Sequence, residues 1–273
     1  MNWELSIPKL CHIYWGGNEL NYLRYLTVVT FMKYNPDWQV VLHYPEKSFK
    51  GKSWGAEHNY LPLNPRLCKD YFPKLLDLPV IKNPINFTEL GFNWDRAEVH
   101  KADYIRINVL YLYGGLWTDL DVIYFKPVTE LKVNIPQNKD KEIYVCISPE
   151  YGHSTGFNMA LSGSKFLGEL MKHFNEEYNG KYQCWGPDMF NKYFNTIDKI
   201  ANSVNIGMEA VYAHDCFHVT ELISTNKSRF TEGSIGCHWY AGHSMWGDFF
   251  NRTHGGEMNL PDNIIGNLIK NTK

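Results

Sequence analysis

The chain has 273 residues, of which 44% are hydrophobic and 21% charged, with a formal net charge of -2. This composition excludes a disordered, collagenous or coiled-coil chain, and the length suffices to bury a core without a metal or disulfide staple. The near-neutral balance disfavours a strongly basic nucleic-acid binder, although a local basic patch stays open.

Taken in chain order, Lys9–Tyr14 is short and apolar and ends at Trp15-Gly16-Gly17, which reads as a strand and a turn. Asn21–Tyr34 carries Leu23, Leu26, Val29, Thr30 and Lys33 near helical spacing, and Asn35-Pro36-Asp37 stops it. Trp38–Tyr44 is β-rich. A strand, a helix and a strand in succession predict an α/β domain with a partly parallel sheet. Residues 45–95, rich in Pro, Asn and aromatics, read as an insertion or lid within one catalytic domain spanning 1–273. Arg96–Tyr113 is the strongest helix, with Ala102, Ile105, Val109, Leu110 and Leu112 near one face and Gly114-Gly115 as its stop. Leu116–Phe125 reads as one strand and Glu142–Ile147 as another. Ser164–Tyr178 and Asp188–Ile200 read as helices, Ser234–Tyr240 as a late strand, and Pro261–Lys273 as a short amphipathic helix.

Six cysteines, Cys11, Cys68, Cys146, Cys184, Cys216 and Cys237, form no C-x-x-C pair and are expected to be free thiols in a reducing compartment. No stretch has the apolar core of a signal peptide or the length of a membrane span, so no integral membrane segment and a cytoplasmic site, bacterial or host, are expected.

The chemistry concentrates in residues 101–121, KADYIRINVLYLYGGLWTDLD. Asp119 and Asp121 are one residue apart in an apolar β segment, where positions i and i+2 share a face. Two carboxylates side by side on a buried strand repel each other and are costly to desolvate. A divalent cation relieves both costs, and hard oxygen ligands suit Mg²⁺ or Mn²⁺, ions that also bind substrate phosphates. Asp103 and Arg106, three apart on the preceding helix, share a face. The bland alternatives are a strand end with two solvated acids and a helix-surface ion pair.

The segment Lys101-Ala102-Asp103, Arg106, Leu110-Tyr111, Tyr113-Gly114-Gly115, Trp117, Asp119 and Asp121 resembles the D-x-D region of glycosyltransferase family 32 and of the related glucosyltransferase domain of large clostridial cytotoxins. Ile7-Pro8-Lys9, His12 and Trp15-Gly16-Gly17 resemble the first strand of that family. Trp185-Gly186-Pro187-Asp188 resembles its Gly-Pro segment, and Cys237-His238-Trp239-Tyr240 with Gly242-His243-Ser244-Met245-Trp246 its closing motif. The resemblance implies a GT-A fold with a Rossmann-like mixed sheet, a nucleotide-sugar donor with UDP favoured, a Mn²⁺ or Mg²⁺ ion, and retention of anomeric configuration.

Residue by residue, it implies that Trp15 stacks under the base and that Asp103 and Arg106 hold the donor sugar and phosphate side. Asp119 bridges to ribose or to the metal, and Asp121 ligates the metal directly. Either His238 or Ser244 adds a further ligand, Trp246 donates its indole N–H to the diphosphate, and Asp188 lies near the reacting sugar carbon. Lys101 is a further candidate charge toward the leaving group.

The acceptor stays open: a surface glycan as the first expectation, a protein, or a hydroxymethylated base in DNA. A non-catalytic nucleotide-sugar-binding module is the competing class. For the DNA reading, Lys47, Lys50, Lys52, Arg66, Lys69 and Lys74 form a candidate patch whose bland reading is a solvated loop face. Trp54, Tyr60, Phe72, Phe87, Phe92 and Trp94 line either an acceptor groove or a packed lid core. His214 and His218 have zinc spacing but lack the metalloprotease Glu, so local hydrogen bonds are expected there. His153, Ser154 and Thr155 have no nucleophile elbow around them, and no P-loop is present.

Overall fold

The structure, a computed structural model, describes residues 7–16, 19–47, 69–92, 96–131, 141–197 and 203–272. Its elements in order are β1 (Leu10–Tyr14), α1 (Tyr22–Tyr34), β2 (Gln39–Pro45), α2 (Phe72–Leu76), β3 (Ile81–Ile85), α3 (Glu98–Tyr113), β4 (Gly115–Thr118), β5 (Val122–Tyr124), β6 (Ile143–Ser148), β7 (Gly152–Ala160), α4 (Lys165–Lys172), α5 (Phe174–Glu177), α6 (Pro187–Ile197), β8 (Ser203–Asn205), α7 (Glu221–Ser224), β9 (Gly236–His238), α8 (Trp246–Thr253) and α9 (Ile264–Lys270). None of these helices is long and apolar enough to cross a membrane.

Seven strands form one mixed sheet in the order β3-β2-β1-β4-β7-β6-β8. β1 runs parallel to both β2 and β4, and β7 is antiparallel to β4 and β6. The expected α/β class with a Rossmann-like mixed sheet is met by this order. The first half of the sequence reading holds closely. Asn21, read as the first helical residue, caps α1, its side chain accepting from Arg24 N–H.

Several readings are corrected. Residues 81–85 are not part of an insertion or lid: they pair in parallel with β2 and form the sheet edge. Residues 48–68 and 93–95 lie outside the described residues, and with them Trp54, Tyr60 and Trp94. Phe87 and Phe92 are buried in the hydrophobic cluster under α3, and Phe72 is partly buried against the cluster around α1, so these three pack a core. Leu116–Phe125 is not one strand. It breaks at Asp119–Asp121, β4 staying in the large sheet and β5 pairing with β9 in a separate two-stranded one. The helix read over 164–178 stops at His173 and restarts as α5. The sequence patterns give no element over β7, β8, α7 or α8.

Three clusters make the core: one face of the sheet with α1, the other face with α3, α4 and α6, and a third joining Ile123 and Trp239 to α8 and α9. α3 lies between layers, so Glu98, His100, Lys101, Asp103 and Arg106 are buried together with its apolar residues, while Leu112 is exposed. The Lys101 ammonium meets the Glu98 carboxylate at 2.7 Å with both side chains inaccessible, and Glu98 also accepts from the Tyr14 hydroxyl. Lys101 therefore braces α3 against β1 and does not line the cleft described below. The stop at Gly114-Gly115 has a steric reason: at Gly115, φ is +99° and an added β-carbon would lie 2.4 Å from the Leu10 carbonyl oxygen.

His12 on β1 and His43 on β2 lie side by side under the sheet, both 1% exposed. The Asn83 amide reaches His43 Nδ1 at 2.8 Å, His43 Nε2 meets His12 Nδ1 at 3.0 Å, and His12 Nε2 meets the Gly114 carbonyl at 3.1 Å. That chain is satisfied by two neutral rings, each protonated on Nε2. Burial pushes His12 down to about 4, against the pull of the Gly114 carbonyl. Burial and the neighbouring His12 push His43 to about 3.

Candidate active site

β1 connects outward to β2 on one side, while β4 enters on its other side. Such a reversal opens a crevice beyond the C-terminal ends of the two strands, the place where ligands bind in open α/β sheets. A cleft of about 450 Å³ lies there, lined by Tyr14 at the end of β1, Trp117, Asp119 and Asp121 at the end of β4, Asp103 and Arg106 of α3, and Tyr212 and His238 from the second half of the chain.

The break between β4 and β5 positions the acids. Asp119 continues the ladder with its N–H on the Gly156 carbonyl at 2.8 Å, and its Oδ1 accepts from the Trp117 indole at 2.7 Å and from Arg106 Nη2 at 3.3 Å. Asp121 points back to the same place because its Oδ2 accepts the Ala241 N–H at 2.9 Å while its carbonyl accepts Trp239 N–H at 2.8 Å. Its Oδ1 meets the His238 Nε2 at 3.0 Å. Among the described residues, Asp119, Asp121 and His238 form the one trio of acidic, His or Cys side chains able to share an ion, their ligand atoms lying within 4.8 Å of one another. Burial pushes the Asp121 carboxyl up, but the His238 imidazole, Arg24 and the Ala241 N–H outweigh it and hold the group at about 2.

Asp103 and Arg106 occupy one turn of α3, paired at 2.8 Å and each 5% exposed at the side chain. Arg106 bridges Asp103 to Asp119, and its guanidinium lies 5.2 Å from the Trp117 ring centre. Burial pushes the Asp103 carboxyl up to about 7 and Asp119 adds to it, with Arg106 pulling the other way. A β-carbon at Gly186 would come within 3.3 Å of both Asp103 oxygens, so the Gly-Pro segment packs directly on this carboxylate. Asp188 follows in the first turn of α6, exposed and lining the cleft.

Two expectations from the closing motif do not fit this geometry. Trp246 is 2% exposed and its indole N–H is engaged by the carbonyls of Trp239 and Tyr240 at 2.9 and 3.0 Å, so it does not point at a diphosphate. Ser244 is exposed and does not line the cleft, whereas His238 lines it beside the two acids. Trp15 is 2% exposed, does not line the cleft, and lies under the Arg24 guanidinium at 4.8 Å; a base stacking on it requires Arg24 to move aside. His214 is engaged by Glu221 at 3.2 Å and by Arg229 N–H at 3.0 Å, and His218 by Asp215 at 2.7 Å, the local bonding expected instead of zinc. Cys11, Cys146, Cys184, Cys216 and Cys237 are free thiols, and Cys68 lies outside the described residues.

Sequence reasoning missed Arg24 and Tyr212. Arg24 lies on the buried face of α1 between Leu23 and Leu26, and its Nη1 reaches the Leu120 carbonyl, inside the acidic turn, at 3.4 Å. An arginine placed among apolar helix positions was the available signal. Tyr212 follows a 3-10 turn at Met208–Ala210 and carries no motif.

Residues 23–140 match the family model described as a glycosyltransferase sugar-binding region containing a DXD motif. The matched stretch includes Arg24, Asp103, Arg106, Asp119 and Asp121, and the chain is a glycosyltransferase carrying that region. Solved structures similar to it include the PaToxG glycosyltransferase, with 20% identity over 71% of each chain and a TM-score of 0.48. The galactosyltransferase LgtC, solved with donor and acceptor sugar analogs, has 14% identity over 68% of this chain and 70% of that one, TM-score 0.40. The UDP-bound glycosyltransferase domain of the YGT toxin has 11% identity over 69% and 68%, TM-score 0.38. No curated protein matches the chain.

Proposed function

We propose that the chain is a metal-dependent retaining glycosyltransferase that moves a sugar from a nucleotide-sugar, with UDP as the favoured carrier, to an acceptor hydroxyl in surface-glycan synthesis. The observation that carries this reading is the convergence of Asp119, Asp121 and His238 beside the Asp103–Arg106 pair, at the crevice of the sheet. The donor set fits a divalent cation: two carboxylates and an imidazole, with Asp121 Oδ1 facing the His238 ring and His238 Nδ1 buried without a partner among the described residues. Mn²⁺ or Mg²⁺ bound there supplies charge neutralisation for a departing diphosphate.

The remaining work falls to the chain's own side chains. Arg106, fixed by two acids and the Trp117 face, is a preorganised cation at the edge of the leaving group. Asp103, lodged against Gly186, presents a hydrogen-bonding carboxyl to the sugar side, and Asp188 is an exposed acid lining the same cleft. Both are candidates to stabilise positive charge developing on the sugar. A front-face transfer, in which the leaving diphosphate takes the acceptor's proton, needs no general base from the chain.

A DNA acceptor finds less support. The cations lining the cleft among the described residues are Arg24 and Arg106, both buried, and Lys47, Lys69 and Lys74 lie off it. Lys69 pairs with Glu257 at 3.3 Å and Lys74 lies over Tyr71 at 4.7 Å. Incubation with UDP- and GDP-sugars and Mn²⁺ tests the proposal: release of free nucleotide is expected from one donor, abolished by EDTA and by Asp121→Ala. Donor binding without release from any of them assigns the chain to the non-catalytic modules instead.

A further inference from the structure

The Tyr212 side chain is 3% exposed, lines the cleft, and its hydroxyl has no hydrogen-bond partner among the described residues. A buried hydroxyl left without a partner costs stability, and a folded chain retains one where something else completes it. Its surroundings define what that is. A β-carbon added at Gly156 would lie 2.9 Å from the Tyr212 hydroxyl and 2.9 Å from Asp119 Oδ2, so the two oxygens face one point on the cleft floor without bonding each other. Asp119 Oδ1 is engaged by Trp117 and Arg106, which leaves Oδ2 as the oxygen turned to that point. The Tyr212 ring is fixed 4.9 Å from His238, so its hydroxyl cannot swing far.

A phenol O–H donates and a carboxylate accepts. A ligand atom between them must therefore accept one hydrogen bond and donate another. A phosphate oxygen can only accept, so it can bond Tyr212 but not Asp119; an alcohol bonds both, and a carboxylate oxygen that accepts from it can still share a cation. We infer that Tyr212 and Asp119 together clasp a hydroxyl group of the bound nucleotide-sugar, Tyr212 donating to it and Asp119 Oδ2 accepting from it. This rests on the nucleotide-sugar reading above. Burial and the nearby Cys146 and Asp119 push the phenol up, which keeps it a donor.

The hydroxyl belongs to the ribose or to the transferred sugar, and the experiment separates them. Titration calorimetry with Mn²⁺ compares wild type and Tyr212→Phe for UDP, 2′-deoxy-UDP, 3′-deoxy-UDP and the donor UDP-sugar. Loss of one net hydrogen bond weakens binding about three- to tenfold. If the ribose is held, Tyr212→Phe binds UDP more weakly and no longer discriminates against one of the deoxy nucleotides. If the sugar is held, the variant binds UDP as wild type does and the UDP-sugar more weakly. In either case the ligand-free variant melts no lower than wild type, because the hydroxyl it loses had no protein partner. Unchanged affinity for every ligand, or a lowered melting temperature without ligand, overturns the inference while leaving nucleotide binding intact. Failure of the wild type to bind any of the nucleotides overturns both readings.

Discussion

Two buried polar clusters flank β1 and differ in one respect. The Asn83–His43–His12–Gly114 chain under the sheet uses every donor and acceptor that its neutral rings offer. The cluster around Asp119, Asp121, His238 and Tyr212 is as confined, yet it leaves the Tyr212 hydroxyl and His238 Nδ1 without partners among the described residues and puts two carboxylates close together. A completed network is architecture; an incomplete one lining a crevice leaves groups that a ligand can complete. The Glu98–Lys101 pair belongs with the first kind although it sits on the same helix as Asp103 and Arg106.

Breaking each cluster should give opposite readouts. The largest expected loss of stability is for Glu98→Ala, which removes the carboxylate that the buried Lys101 ammonium faces and should cost about 3–5 kcal/mol in denaturant unfolding. A cost under about 1 kcal/mol would move this pair out of the architectural class. Asp121→Ala should instead lower donor turnover by about 100-fold or more while the fold, read by circular dichroism, persists; retention of turnover would remove the acidic turn from the chemistry.

A smaller effect is expected from pH. His12 and His43 are neutral in the fold, at about 4 and about 3, and titrate near 6.5 when unfolded. The unfolded chain therefore binds protons first. The stability from these two rings is complete above about 6.5 and declines as pH falls toward 4 and then 3. Asp103, held up to about 7, acts with the opposite sign across part of the same window. The histidine contribution is accordingly read as the difference between wild type and His43→Gln, measured by urea midpoints from pH 8 to pH 4.5. A difference that does not change with pH would contradict neutral rings. The smallest effect should come from Trp246→Phe. Its N–H bonds only carbonyls of its own chain among the described residues, so about 1 kcal/mol of stability should be lost and nucleotide affinity should stay as it was. A tenfold loss of affinity would restore Trp246 to the diphosphate.

Local patterning made the first half of the fold legible. α1 and α3 carry strong stops and long periodic runs, and β1 and β2 are bounded by turn residues. The second half was harder: β9 falls inside the strand read over Ser234–Tyr240, but β8 has three residues and takes its stability from neighbours rather than from its own pattern. β7 contains Gly152, His153, Ser154, Thr155, Gly156 and Asn158, a polar run that reads as loop until β4 and β6 pair with it.

The site divided in the same way. Short spacing by itself put Asp103 with Arg106 on one helix face and Asp119 with Asp121 on one strand face, and the resemblance to the D-x-D region joined the two pairs. Tertiary structure alone decided that the strand breaks between the two acids, that His238 lies beside them in the cleft, that Lys101 and Trp246 are turned inward, and that Arg24 and Tyr212 reach the cleft. Those outcomes depend on which groups remain unsatisfied once the layers have packed, and hydrogen bonds between residues a hundred positions apart leave no periodic trace in the chain.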